Sequence, residues 1–217
     1  MKNGFTLIEI LVTISIFGSV VVMISAVYIG FSHIQARANA TQRILNDSQF
    51  ILEAMAREIR NDLILDYNPT DARCEAVIGD NYLGCILLQR EDGQVVTFTH
   101  YFNSADATDS KNGNLYFILL GNCDDTLTTC QWGDAYTDDT QNYESYTIML
   151  GPSLSNIQVD ALAFNITPDT DPFVLGGPAR QPKVTVQLDV SYASTGDEFK
   201  DVRQLLQTTV SSRVYRK

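Results

Sequence analysis

Histidine is scarce in this chain: only His33 and His100 occur in 217 residues. Two imidazoles leave little material for acid–base catalysis near neutral pH. The glycine-rich phosphate loop, the dinucleotide fingerprint, the G-x-S-x-G elbow and the H-E-x-x-H zinc motif are all missing. Gly151-Pro152-Ser153-Leu154-Ser155 lacks the second glycine of an elbow, and Gly176-Gly177 reads as a turn in a proline-containing loop. Proline does not occur before Pro69, so nothing in the first 68 residues forces a helix to break. Basic side chains are also few, 15 against 26 acidic ones, for a net charge of −11.

The charge is unevenly spread. Through Asp62 there are five basic and five acidic side chains, so the first part of the chain is neutral. The whole excess falls in residues 63–217. An acidic domain repels phosphate backbones and anionic headgroups, so general nucleic-acid binding is disfavoured. Arg213, Arg216 and Lys217 are the only tight basic cluster that leaves it open. With 45% hydrophobic residues, the chain suits one sizeable domain plus an extra element. No internal repeat or interdomain linker stands out.

Four cysteines fall in two local pairs, Cys74 with Cys85 and Cys123 with Cys130. In an exported domain this even count predicts disulfides, with four buried thiols as the bland alternative. Spacing does not fix the connectivity, so the cross-pairings 74–123 and 85–130 stay open. No Cys-x-x-Cys occurs and both histidines lie far from the cysteines, which argues against zinc.

Residues Ile10–Phe31 form a run of 22 without a charged side chain. As a helix this spans roughly 33 Å, about one hydrocarbon core. Extended back to Phe5, the run holds one ionisable group, Glu9. Three readings compete. A cleaved secretory signal has Lys2 as its basic start and Ala36-Arg37-Ala38 or Ala38-Asn39-Ala40 as its cleavage site, but the apolar run is too long for one. An uncleaved anchor explains the run and leaves Glu9 as an accident, although a charge inside a membrane segment is costly unless paired or near the surface.

The third reading uses every local residue. Gly4-Phe5-Thr6-Leu7-Ile8-Glu9, followed by the long apolar run, resembles the processing site of type IV prepilins and of the pseudopilins of type II secretion. The resemblance implies a leader at residues 1–4, cleavage by prepilin peptidase after Gly4, and methylation of the new amine on Phe5. It places Glu9 where the family keeps a glutamate used in assembly. It also implies other pilin or pseudopilin subunits as partners, membrane attachment through residues 5–31, and a domain outside the cytoplasm. The flanking charges alone would not set that orientation, since Arg37 and Arg43 lie beyond the outer end of the run and Lys2 before it.

Beyond the apolar run, Ile44, Ile51, Leu52, Met55, Ile59 and Leu63 fall at helical spacing. This predicts an amphipathic second half of the same helix, residues 32–65, packed on a domain at 66–217. Asn68-Pro69 ends the helix at the latest. In the domain, Lys183–Tyr192 alternates strictly and pairs in a hairpin with an alternating segment at 200–214, through Val202, Leu206, Val210 and Val214. Leu83–Arg90 and Gln94–Phe102 flank the turn signal Glu91-Asp92-Gly93. Leu115–Leu120 and Tyr146–Leu150 read as short strands. In Ile157–Ile166 the apolar parity changes, which predicts a β-bulge near Asp160-Ala161.

The expected fold class is therefore α+β, a long helix on a mainly antiparallel sheet domain. Ala56-Arg57-Glu58-Ile59-Arg60, Gln158–Ile166 and Thr208-Thr209-Val210-Ser211-Ser212-Arg213 resemble the J-type minor pseudopilins and the larger PilW-like minor pilins, which implies a minor subunit. Loops at 103–114, 133–143 and 167–182 are rich in Asp, Asn, Gly and Pro. In the first of these, Asp106, Asp109, Asn112 and Asn114 have the chemistry of calcium ligands without EF-hand spacing, and a solvated turn at Asn112-Gly113 is the better reading. No cofactor is expected. The non-enzymatic alternative to a filament subunit is a membrane-tethered binding module, an adhesin or receptor ectodomain that never polymerises.

Overall fold

The computed structural model describes residues 6–66, 78, 81–123, 130–131, 145–169, 181–192 and 202–212. A single helix, α1, runs from Leu7 to Asn61. Thr6 starts it: the Thr6 hydroxyl accepts the Glu9 backbone N–H, and the Glu9 carboxylate reaches back to the Thr6 backbone N–H. Each side chain thus satisfies a donor that the first turn leaves orphaned.

The helix ends earlier than residue 65. Asp62 is its C-cap, in an extended conformation, with its backbone N–H donating to the Glu58 carbonyl at 2.9 Å. Leu63–Ile64 then form a two-residue strand, β1, opposite Leu88–Gln89. Ladder pairing to a strand distant in sequence replaces the last helical turn, and Ile64 becomes 3% exposed. The expected stripe is otherwise buried at Ile44, Ile51, Leu52, Met55 and Ile59, joined by Ala40 and Ser48, while Leu63 is half-buried in β1. Five large apolar side chains at about 1.5–3 kcal/mol each hold this half of the helix to the domain.

The domain carries two antiparallel sheets. The first contains β1, β2 (Tyr82–Gln89), β3 (Val95–Tyr101), β4 (Leu115–Cys123) and β5 (Cys130–Gln131), in that order, with β6 (Ser145–Leu150) also paired to β4. The second is β7 (Ile157–Thr167), β8 (Lys183–Tyr192) and β9 (Arg203–Ser211). The β2–β3 hairpin turns at Glu91-Asp92-Gly93: the Asp92 carboxylate accepts the Gln94 N–H at 3.0 Å, and Gly93 takes φ +88°. All seven residues of β3 are buried, because both faces of this central strand are covered.

β8 alternates as its sequence requires, with Val184, Val186, Leu188 and Val190 fully buried. In β9, Val202 at its approach and Val210 are buried and Leu206 is partly buried; Val214 and the connection at residues 193–201 lie outside the described residues. The β7–β8 register shifts between Val159 and Ala161, and this bulge brings Ile157, Val159, Leu162 and Ile166 to the buried side despite their change of parity.

The main core joins the helix stripe to Ile86, Leu88, Val96 and Phe98 of the first sheet and to the buried valines of the second. A second cluster, with Cys85, Leu87, Ile118 and the rings of Tyr82, Tyr101 and Tyr116, is built from residues of β2, β3 and β4 outside the main core. Tyr82 meets Tyr101 edge-on at 5.2 Å between ring centres. The architecture is α+β, a long helix with an antiparallel sheet domain.

Candidate functional site

Burial on the helix begins at Ala40, with residues before it exposed apart from half-buried His33 and Ala36. Residues 7–32 are all exposed, Leu7 at 81% and Phe17 at 70% among them. By length and composition this stretch can cross a membrane, and none of its most apolar part is covered by the domain. The core helix of a soluble protein would bury such a surface; here it stands clear.

Four hydroxyls of the stretch are handled internally. Thr13 donates its hydroxyl to the Glu9 carbonyl at 2.6 Å and Ser15 to Leu11 at 2.9 Å. Ser19 donates to Ile16 and Ser25 to Val21, both at 2.8 Å. Each hydroxyl returns to its own helix backbone and asks nothing of the surroundings.

Glu9 sits in the first helical turn, where the positive end of the macrodipole favours a carboxylate. Its Oε2 accepts from the Thr6 N–H at 3.3 Å and from the Thr6 hydroxyl at 3.2 Å. The carboxylate therefore lies one residue from Phe5. Gly4 and Phe5 themselves are outside the described residues. The pattern Thr-x-x-Glu that signals this cap is present in the sequence, where Thr6 and Glu9 also belong to the string that resembles a prepilin processing site.

Among the described residues no cysteine is free, and Cys85 of β2 is disulfide-bonded. Cys74 lies outside the described residues. The backbones of Cys123 and Cys130 oppose each other across β4 and β5, and their side chains are not described.

The β3–β4 loop uses its polar groups on itself. Asp106 accepts from the Thr108 N–H and hydroxyl, and Asp109 from the Lys111 N–H and the Tyr101 hydroxyl. The Asn112 side-chain Oδ1 accepts the Asn103 N–H at 2.6 Å, and its Nδ2 donates to the Asp106 backbone carbonyl at 2.8 Å. Asn114 is buried and donates to Ser153 at 2.9 Å. The four candidate calcium ligands are thus spread over separate turns and a buried contact. Gly113 turns the chain at φ +76°.

Sequence reasoning also missed a carboxyl group at the other end of the helix. Asp62 is 7% exposed and its Oδ2 has no hydrogen-bond partner among the described residues. Glu58 lies one turn before it and binds Arg90, from the end of β2, at 3.1 Å. Burial pushes the Asp62 carboxyl up to about 6, with the neighbouring Glu58 charge adding to the rise and Arg90 opposing it. The Glu58–Arg90 contact spans 32 residues, which is why no local pattern announces it.

A search of curated proteins and a search of solved structures each found no match to this chain. Residues 1–25 match a family model described as the prokaryotic N-terminal methylation motif. That segment takes in Gly4, Phe5, the Thr6–Glu9 cap and most of the exposed apolar helix, and it supports a type IV pilin-like or pseudopilin precursor.

Proposed function

We propose that this chain is a structural subunit of a type IV pilus, a competence pilus or a type II secretion pseudopilus. Prepilin peptidase cleaves after Gly4 and the new amine of Phe5 is methylated. The subunit then waits in the cytoplasmic membrane with residues 66–217 outside the cytoplasm. Assembly moves the apolar half of the helix from lipid into a bundle of like helices, with the acidic domain on the outer surface. The observation that carries this reading is the helix itself: its first half is apolar and uncovered, and the methylation motif stands at its start. Its second half is buried on the domain.

Within that reading, the J-type and PilW-like resemblances and the length of 217 residues favour a minor subunit, present in fewer copies than a shorter major one. The subunit has no catalytic role and needs no cofactor. Cys74–Cys85 and Cys123–Cys130 are the favoured disulfides. The first accounts for the bonded state of Cys85, and the second for the direct opposition of residues 123 and 130.

The mature N-terminus decides between this reading and a non-polymerising membrane tether. Intact-mass and peptide mass spectrometry of membrane-extracted protein should find N-methylated Phe5. Met1 retained in protein from cells with active prepilin peptidase supports the tether and overturns the filament reading.

A further inference from the structure

Arg37 and Arg43 stand beyond the outer end of the apolar run, on the side where basic residues do nothing to orient the chain. Both are exposed, and neither has an ion-pair partner among the described residues. This holds although Asp47 lies one helical turn from Arg43 and residues 63–217 carry the whole acidic excess. The arginines of the domain behave differently: Arg90 is bound to Glu58, and Arg203 to Asp189 at 2.6 Å. Two unpaired guanidinium groups at the membrane end of an acidic protein point to an anion that the chain itself does not supply.

Their heights say which anion. Six residues separate Phe31 from Arg37, about 9 Å along the helix axis. Helical side chains lean toward the N-terminus, which here is toward the membrane. The Arg37 guanidinium therefore hangs in the layer of lipid headgroups, roughly 5–7 Å deep outside the hydrocarbon. Just above it a cleft of about 540 Å³ opens between the helix and Tyr192 at the end of β8. The small side chains of Ala36 and Ala40 leave it room, and the carboxamides of Asn39 and Asn46 line it with neutral polar groups. Arg43 lines it too. It is six residues above Arg37, about 9 Å, a distance at which its charge is still felt at ordinary ionic strength.

We propose that Arg37 binds the phosphate of an anionic phospholipid in the leaflet facing the domain, and that the uncharged, hydroxyl-bearing end of the headgroup, as in phosphatidylglycerol, enters the cleft. The carboxamides of Asn39 and Asn46 both donate and accept, as hydroxyls require. Arg43 repels the ammonium that ends an ethanolamine or choline headgroup, so the same cleft selects against zwitterionic lipids. A lipid rather than a free phosphate fits the surface below: Ile34, 70% exposed, lies one turn beneath Arg37 on the side of the acyl chains. The two arginines also offset the repulsion between an acidic domain and an anionic bilayer. This inference rests on the membrane-anchored state in the proposed function and not on polymerisation.

The test uses the full-length processed protein, extracted in mild detergent and titrated with phosphatidylglycerol, phosphatidylethanolamine or the water-soluble headgroup glycerophosphoglycerol, with bound molecules counted by native mass spectrometry. Wild type should take up one phosphatidylglycerol about tenfold more tightly than phosphatidylethanolamine, and the soluble headgroup only weakly. Arg37→Gln should lose about tenfold in phosphatidylglycerol affinity, and Arg37→Lys should keep most of it. Arg43→Glu should turn the preference toward phosphatidylethanolamine, a gain that misfolding cannot produce. Equal wild-type affinity for the two lipids, or a preference unmoved by Arg37→Gln and Arg43→Glu, overturns the site. Equal binding of glycerophosphoglycerol makes it a site for a free phosphodiester and overturns the lipid assignment. Release of the wild-type chain from membranes by alkaline carbonate sinks the anchor and this inference with it. Retention in the membrane without a headgroup preference sinks this inference alone.

Discussion

Replacing Asp62 by Asn removes a charge from one of the least hydrated places at the helix end while keeping the shape. In the native chain the Asp62 carboxyl titrates near 6, against 3.8 for the free side chain. The folded state therefore holds a proton that the unfolded state releases. Stability from this group is fully present below about pH 4, is lost as pH rises through about 6, and stays low above that. A shift of roughly two units corresponds to at most about 3 kcal/mol, and water reaching the carboxylate lowers this, so about 1–3 kcal/mol is expected. Asp62→Asn should be more stable than wild type by that amount at pH 7.5. The two should converge toward pH 4, since Asn cannot ionise and protonated Asp62 is likewise uncharged. Thermal unfolding of the full-length protein in detergent, followed by far-ultraviolet circular dichroism from pH 3.5 to 8, measures the difference. Equal or lower stability of Asp62→Asn at pH 7.5 would refute the reasoning. So would a wild-type profile that rises between pH 4 and 6.5 where Asp62→Asn is flat.

Other expectations follow from separate parts of the molecule. Gly4→Val should leave a longer, membrane-retained precursor, visible as a shift on immunoblots; normal maturation would sink the assigned cleavage site. Glu9→Leu should be processed and inserted normally but enter sheared filaments poorly at matched expression, because an unpaired carboxylate in an apolar bundle selects the register that offers it an amine. Incorporation equal to wild type would show Glu9 to be a tolerated charge. Non-reducing peptide mapping should recover Cys74–Cys85 and Cys123–Cys130; four alkylatable thiols in exported protein would contradict both. Gly84→Ala should cost at least about 2 kcal/mol, because Gly84 takes φ +58° and an added methyl would collide with the Leu162 carbonyl where the two sheets meet. A loss below about 0.5 kcal/mol in denaturant unfolding would show that this junction yields.

Elements defined by their own periodicity were legible in the sequence. β8 alternates without a break, so its buried face could be named residue by residue. The bulge in β7 was legible because one extra residue inverts parity, and Leu162 and Ile166 need the inversion to reach the core. The β2–β3 hairpin was legible through Asp92-Gly93. What failed was set by partners distant in sequence. The helix stops at Asn61 because residues 63 and 64 pair with 88 and 89, and nothing between 32 and 65 encodes that competition. The Asp62 environment needs Arg90 and the folded hairpin. At the N-terminus the pattern was present at two levels, a family-like processing string and a local cap, and only the first was read.

The self-contained hydroxyls of Thr13, Ser15, Ser19 and Ser25 bear on how such a helix changes solvent. Hydrogen bonds that close within a helix need not be exchanged when the medium does. Lipid tails and the side chains of neighbouring helices are similarly apolar, so no hydrophobic gain drives the passage from one to the other and none opposes it. For residues 10–31, leaving the bilayer is then close to a transfer between equivalent oils. The charged group that borders this segment is Glu9. Under the proposed filament function, a segment 22 residues long is held firmly against water and still free to pass sideways into a polymer, with the Glu9 carboxylate at its border as the charge that assembly has to accommodate.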